Sequence, residues 1–254
     1  MFALVLGWPL ARNLNRAMFY LGARGLGLLN YSSDRLSGEK IAVEMLVPSV
    51  GQPVIFDVGA NEGTWIARIL KKNKNAIVHA FEPQSELAAQ ISRKFPHVYM
   101  NNVAVGDQPG MLELFDYREG AGSQHATLVP RVIEDIHGGI SRHSTVSVVR
   151  LDDYCREKEI GRIDFLKIDV EGYECRVLRG AAGLIRAKQV GVIQFEFNEM
   201  NIKERVLFKD FYDLLADAYS LHRLLPNGLL KIERYSPWLC EQFAFQNIVA
   251  IIRP

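Results

Sequence analysis

Apolar residues recur along this chain in two rhythms. Continuous apolar runs at Val54–Val58, Ile77–Phe81, Val98–Val105, Ile163–Ile168 and Gly191–Phe197 predict buried strands. Between them, Gly63–Lys72, Ser85–Lys94 and Lys203–Ala218 carry apolar residues at helical spacing, and Ser85 is placed to cap its helix. Met111–Tyr117 predicts a fourth strand paired at an edge, and Thr145–Arg150 a further one. Ser220–Leu225 and Leu229–Glu233, joined by Pro226-Asn227-Gly228, predict a hairpin, and Phe245–Ile252 closes the sheet. Strands alternating with helices predict an α/β fold, a mostly parallel sheet with helices on both faces. The late hairpin adds an antiparallel edge strand. Arg118–Ser144 breaks the rhythm with Gly, Ser, His and charge, and loops of such length are commonly functional.

The first 48 residues follow neither strand rhythm. Ser37-Gly38-Glu39 followed by Ile41, Val43, Leu46 and Val47 predicts a helix that Pro48 stops. We therefore expect a helical extension over 1–48 and one domain over 49–254. Arg12, Arg16, Tyr20 and Arg24 share helical spacing, and no acid precedes Asp34. Two readings stand for this segment: a leading helix packed on the domain, or an amphipathic helix in peripheral contact with an anionic membrane. Met1–Ala11 is apolar but short and lacks a basic start, so no secretory signal is expected, and no stretch is long enough to span a bilayer.

Composition narrows the partners. With 48% apolar residues the chain can bury a large core, and a net charge of +1 without a basic run argues against nucleic acid. Cys155, Cys175 and Cys240 are too scattered for a disulfide framework and read as buried thiols of a reducing, cytoplasmic compartment.

The chemistry concentrates in Val54–Gly63, VIFDVGANEG, and in the strand ending at Glu82. A glycine turn after a buried strand lets backbone approach a ligand, and Gly59, Asn61 and Gly63 tolerate the positive φ of such a turn. Asp57 at the strand end repels a pyrophosphate but suits an ammonium. Asn61 replaces the second glycine of GxGxxG, so a nicotinamide-dependent oxidoreductase is disfavoured. Glu82, ending the next strand, can accept from both hydroxyls of a ribose, and Asn102, Val103 and Ala104 end the third, where an adenine can lie.

These segments, with Asn102–Gly110 (NVAVGDQPG), Leu151–Tyr154 (LDDY) and Asp164–Glu174 (DFLKIDVEGYE), resemble the FkbM family of S-adenosylmethionine-dependent methyltransferases from about Ser37 to the end of the chain. The KIDVEGxE run is the most specific. The resemblance implies a class I, Rossmann-like methyltransferase fold with a seven-stranded, mostly parallel sheet and an antiparallel C-terminal strand. It also implies O-methylation of a hydroxyl on a sugar, glycan or related natural product. Asp57, Gly59, Asn61 and Gly63 would hold the methionine moiety, Glu82 the ribose, and Asn102, Val103 and Ala104 the adenine. Where relatives often carry a serine pair in the long loop, this chain reads Gly122-Ser-Gln-His-Ala-Thr-Leu.

A sugar hydroxyl needs a base or a metal to become a nucleophile. Asp169, at a strand end, and Glu171 are the first candidates on the acceptor side; the alternative is that Asp169 only caps or shapes its turn. His125 is the best placed of the loop histidines His125, His137 and His143. Glu196 and Glu199 can line the acceptor pocket. Two carboxylates can also carry Mg2+, although no third ligand is fixed by spacing. His79, inside a strand, reads as a packing residue, and Trp65 either packs the first helix on the sheet or touches the cofactor. The competing class is a non-catalytic nucleoside-binding or scaffolding module of the same fold.

Overall fold

The computed structural model describes residues 6–31, 33, 36–117, 126–130, 132–136 and 140–253. In chain order its strands are β1 Val54–Val58, β2 Ile77–Phe81, β3 Tyr99–Asn101, β4 Ala104–Val105, β5 Gly110–Tyr117 and β6 Ser141–Val149. There follow β7 Ile163–Ile168, β8 Val190–Phe197, β9 Tyr219–Leu225, β10 Gly228–Lys231 and β11 Gln246–Ile252. Eight of them form one sheet in the order β10-β9-β11-β8-β7-β1-β2-β3, and β4-β6-β5 form a second, three-stranded sheet. From β3 across to β8 every pairing is parallel. β11 runs antiparallel between β8 and β9, and β10 is the antiparallel edge. The large sheet is thus a seven-stranded α/β sheet extended by one hairpin strand.

Parallel strands covered on both faces bury alternate side chains in different layers. On one face Ile55, Phe165, Val192 and Val249 pack with Val43, Trp65, Ile66 and Ile69 from the helices Glu39–Leu46 and Thr64–Lys72. On the other, Phe56, Leu166, Phe195 and Ile248 pack with Leu151, Val177 and Phe211 from Leu151–Glu157, Glu174–Gly180 and Phe208–Leu215. The helix Glu39–Leu46 therefore contributes to the core of the sheet, although it precedes residue 49. The three cysteines are free and buried.

Several sequence expectations shift. The run Val98–Val105 is not one strand: the chain leaves the large sheet after Asn101 and joins the small one at Ala104. The Asn102 side chain fixes the break by donating to the Glu82 and Pro83 carbonyls at 2.9 and 3.0 Å. Met111–Tyr117 belongs to this second sheet, where β5 pairs with β6, a strand that begins at Ser141 rather than Thr145. Ser85 is the first helical residue and not the cap; its hydroxyl donates to Asn102 Oδ1. The helix expected over Lys203–Ala218 covers only Phe208–Leu215. Ahead of it lie a short 3-10 turn, Glu199–Ile202, and Arg205 at φ 55°. The Glu241 carboxylate, from 33 residues away, accepts from the first amide, Phe208 N–H, and also from Lys209 N–H.

Candidate active site

Two turns meet at the C-terminal end of the large sheet. After β1, Gly59, Asn61 and Gly63 all take positive φ, at 84°, 49° and 72°. The Gly59 and Ala60 amides donate to the Phe81 carbonyl, which folds this turn onto the end of β2. A Cβ on Gly59 would stand 1.8 Å from the Asp169 carbonyl oxygen, so the turn closes directly against the end of β7. Gly63 meets the Phe95 ring instead, and its role is packing at the start of the helix. The second turn runs Asp169-Val170-Glu171-Gly172, with Glu171 at φ 54° and Gly172 at φ 101°. Glu174 Oε1 accepts from the Val170 and Gly172 amides at 3.1 Å each, and Thr127 Oγ1 donates to the Glu171 carbonyl at 2.6 Å. The last residue of KIDVEGxE thus serves to hold the turn in shape.

Around these turns lie two openings. A narrow pocket of about 50 Å3 is lined by Val58, Phe81, Glu82, Val103 and Ala104, with Leu114, Ala126 and Leu128 as its outer wall. A cavity of about 630 Å3 opens on the other side, over β1, β7, β8 and β11. Gly59, Asn61, Asp169 and Glu171 line both. The sequence-predicted residues Asp57, Glu196 and Glu199 line the cavity, and Glu82, Val103 and Ala104 the narrow pocket. Asn102 and Gly63 line neither; Asn102 acts through the carbonyls it clamps. His125 and His137 lie outside the described residues. His143 sits on β6 beside Glu113 at 3.9 Å, apart from both turns.

Glu82 is buried, and its oxygens accept from Asn61 N–H and Gln84 N–H at 2.9 Å each. Burial pushes its carboxyl up to about 7, against the pull of those two amides. Asp57 is fully buried, neither carboxylate oxygen has a partner, and burial raises it to about 7 despite the nearby Lys167. Lys167 lies opposite both Asp57 on β1 and Gln194 on β8, so the three form one polar row across the sheet. Its ammonium donates to Asp169 Oδ2 at 2.6 Å. Burial opposes its charge, but Asp169, Glu39 and Asp57 together hold it above the ordinary lysine value. Over this row Glu39 bridges Arg68 at 3.1 Å and Gln194 at 3.5 Å. His79 is held neutral, lowered to about 4 by burial, and stacks on Tyr99.

Lys167, Glu39, Gln194, Asn247 and Glu174 were not singled out in the sequence. Only Lys167 and Glu174, both within the KIDVEGxE run, left a signal, a charge at an inward position of an apolar strand and an acid two residues after a turn glycine. The others join the site through strand register and helix packing. Among the described residues no group of three or more His, Cys, Asp or Glu is arranged to hold a metal ion.

Three comparisons with known proteins bear on this geometry. A family model described as "Methyltransferase FkbM domain" matches residues 57–221. The 2-O-methyltransferase NoeI of Sinorhizobium fredii is 26% identical over 189 residues, 70% of this chain and 76% of that protein. The 31-O-demethyl-FK506 methyltransferase FkbM of Streptomyces tacrolimicus is 30% identical over 158 residues, half of this chain and 58% of the relative's length. Among solved structures, an O-methyltransferase from Bacillus cereus in complex with S-adenosylhomocysteine superposes with TM-score 0.44 at 13% identity, covering 94% of this chain and 90% of the other.

Proposed function

The chain belongs to the FkbM methyltransferase domain family and is an S-adenosylmethionine-dependent methyltransferase, and from that premise we propose that it methylates a hydroxyl of a sugar, glycan or related natural product. The observation that carries the assignment of parts is the meeting of the two turns, which leaves Gly59, Asn61, Asp169 and Glu171 as the shared wall of pocket and cavity. A ligand lying across that wall has its nucleoside on the Glu82 side and its reactive end on the cavity side.

The residues fit the cofactor on two counts. The buried, unpartnered carboxylate of Asp57 suits an ammonium, and the bare Gly59 lets a ligand lie against backbone. Asp57, Gly59 and Asn61 would hold the methionine moiety, with Gly63 placing the helix behind them. Glu82 would accept from the ribose hydroxyls, and Val103 and Ala104 would flank the adenine, with Asn102 fixing the strand break. At about 50 Å3 the narrow pocket is well below the ~300 Å3 of small-ligand sites, so a nucleoside would have to displace the wall of Leu114, Ala126 and Leu128 to enter.

When bound, the cofactor supplies an electrophilic methyl group on a sulfonium, and the protein's task is alignment and proton removal. Asp169 is oriented by Lys167 at the boundary between the two openings, and Glu171 stands beside it on a strained turn. These two are our acceptor-side candidates for receiving the hydroxyl proton, with His125, on sequence grounds alone, as a third. Residues 49–254 are assigned as the methyltransferase domain, whose core Glu39–Leu46 of the extension over 1–48 completes, and the first helix of that extension we propose lies peripherally on a membrane.

Calorimetric titration with S-adenosylhomocysteine tests the cofactor assignment, and absence of binding to folded protein would sink it. Glu82→Ala should weaken that binding at least tenfold, since hydrogen bonds to a charged group contribute roughly 1.5–3 kcal/mol each. Transfer of labelled methyl to a glycan extract tests the acceptor class; label found only on protein or nucleic acid would overturn it.

A further inference from the structure

The large cavity extends well beyond the residues assigned to the cofactor. β11 lies three strands from β1, about 14 Å at ~4.8 Å per strand. At that far end Asn247 of β11 stands directly opposite Glu196 of β8, and both line the cavity, with Phe245 beside them. Asn247 is 2% exposed, and its Oδ1 has no hydrogen-bond partner. Trp65, 4% exposed, lines the same cavity with an indole N–H that also has none. Buried polar atoms are nearly always satisfied. An orphan acceptor and an orphan donor on one cavity wall point to a ligand that offers both donors and acceptors, as a polyhydroxylated ring does.

Charge selects further. Seven carboxylates line the cavity against two cations, Arg68 and Lys167. Both cations already face acids, Arg68 with Glu39 at 3.1 Å and Lys167 with Asp169 at 2.6 Å. Glu196 makes no ion pair among the described residues. A phosphate, sulfate or uronate would enter a field of its own sign, whereas an amine would meet Glu196, on which Lys167 acts only from beyond ion-pair distance.

We propose that the β8–β11 end of the cavity is the acceptor subsite, and that it takes a polyhydroxylated ring without negative charge, favouring one that bears an amine. Asn247 orients the ring through a hydroxyl or amine proton, Trp65 donates to one of its oxygens, and Glu196 holds the amine. Burial, reinforced by Asp169 and Glu171 and only partly offset by Lys167, drives the Glu196 carboxyl well above its ordinary range. This inference rests on the methyltransferase reading and assigns the chemistry of its acceptor.

The test uses full-length protein saturated with S-adenosylhomocysteine on an array of neutral, amine-bearing and anionic glycans. Bound glycans should be neutral or amine-bearing, with none carrying phosphate, sulfate or uronate. Glu196→Gln should cut the preference for amine-bearing over neutral glycans at least fivefold, and Asn247→Leu should weaken both at least tenfold. Affinity for S-adenosylhomocysteine, titrated separately, should stay within twofold in both variants, since they lie strands away from Asp57. Anionic glycans among those bound, no glycan bound by cofactor-loaded protein, or an unchanged amine preference in Glu196→Gln would each overturn the subsite. Failure of S-adenosylhomocysteine itself to bind would instead overturn the reading beneath it.

Discussion

Asp57 is a carboxylate that the fold buries completely and leaves without a partner on either oxygen. Its carboxyl is raised from 3.8 to about 7 by burial, and those of Glu82 and Glu174 from 4.5 to about 7 for the same first reason. Below pH ~4 folded and unfolded chains hold these protons alike. Between ~4 and ~7 the unfolded chain releases them while the folded chain keeps them, so folding takes up protons and stability falls as pH rises. The cofactor-free protein should therefore lose thermal stability from pH 5 to pH 7. Asp57→Asn should flatten that slope by up to one proton's share, ~1.4 kcal/mol per pH unit. Melting curves across this range decide it; a slope unchanged in Asp57→Asn would mean that Asp57 is already ionised in the folded chain. At this scale the sequence shows which residues are chemically apt, such as Asp57 and Glu82. It does not show that Asp57 would be orphaned, or that Asn102 would be spent on two carbonyls, because both depend on neighbours brought from other elements.

The elements most legible in the sequence are those whose neighbours matter least to their boundaries. β1, β2 and β7 occupy the residues expected, since a parallel strand buried on both faces is a continuous apolar run. A single run, however, cannot reveal a change of sheet between β3 and β4. Nor can helical spacing reveal that Phe208–Leu215 begins where a distant Glu241 accepts its first amides. The turn after β1 was legible from its glycines, but the contact that makes Gly59 necessary comes from β7. Gly59→Ala would place a methyl 1.8 Å from the Asp169 carbonyl at φ 84°, forcing the two turns apart. Overpacking of this kind costs roughly 1–3 kcal/mol, and left-handed backbone about 1 kcal/mol more. Gly51 supplies the control: its φ is 79°, and a Cβ there meets nothing within 4 Å. Gly59→Ala should lower Tm by at least about 2 °C more than Gly51→Ala and weaken S-adenosylhomocysteine binding. Equal melting of the two variants would remove the claim that the turn-to-turn contact shapes the site.

On the scale of the whole molecule, one helix stands apart from the packed layers. Arg12–Gly25 buries only Ala23, and on the opposite side Leu14 and Leu21, 55% and 72% exposed, align with Met18. Trp8 and Leu10 extend that exposed apolar surface at its start. Arg12 and Arg16 are exposed, no acid precedes Asp34, and no described helix is long and apolar enough to cross a membrane. A helix with one exposed apolar face, exposed Arg12 and Arg16 on its other side and no acid suits the surface of an anionic bilayer, where each basic residue adds about 1 kcal/mol and each buried Leu roughly 1.5–3 kcal/mol. The segment is also tied to the cavity. Asn30 N–H donates to the carbonyl of Phe245, and Ser37 and Glu39 line the cavity just beyond. A bilayer under this helix would hold the acceptor opening at a fixed distance from the membrane surface. The protein should co-sediment with vesicles containing phosphatidylserine at least about fivefold better than with phosphatidylcholine alone, and raised salt should reduce the difference. Leu14→Asp combined with Leu21→Asp should abolish the binding without lowering Tm, because neither side chain packs on the domain. Equal sedimentation with both vesicle types, or binding unaffected by the double substitution, would leave the helix without its bilayer and return its apolar face to contact with protein.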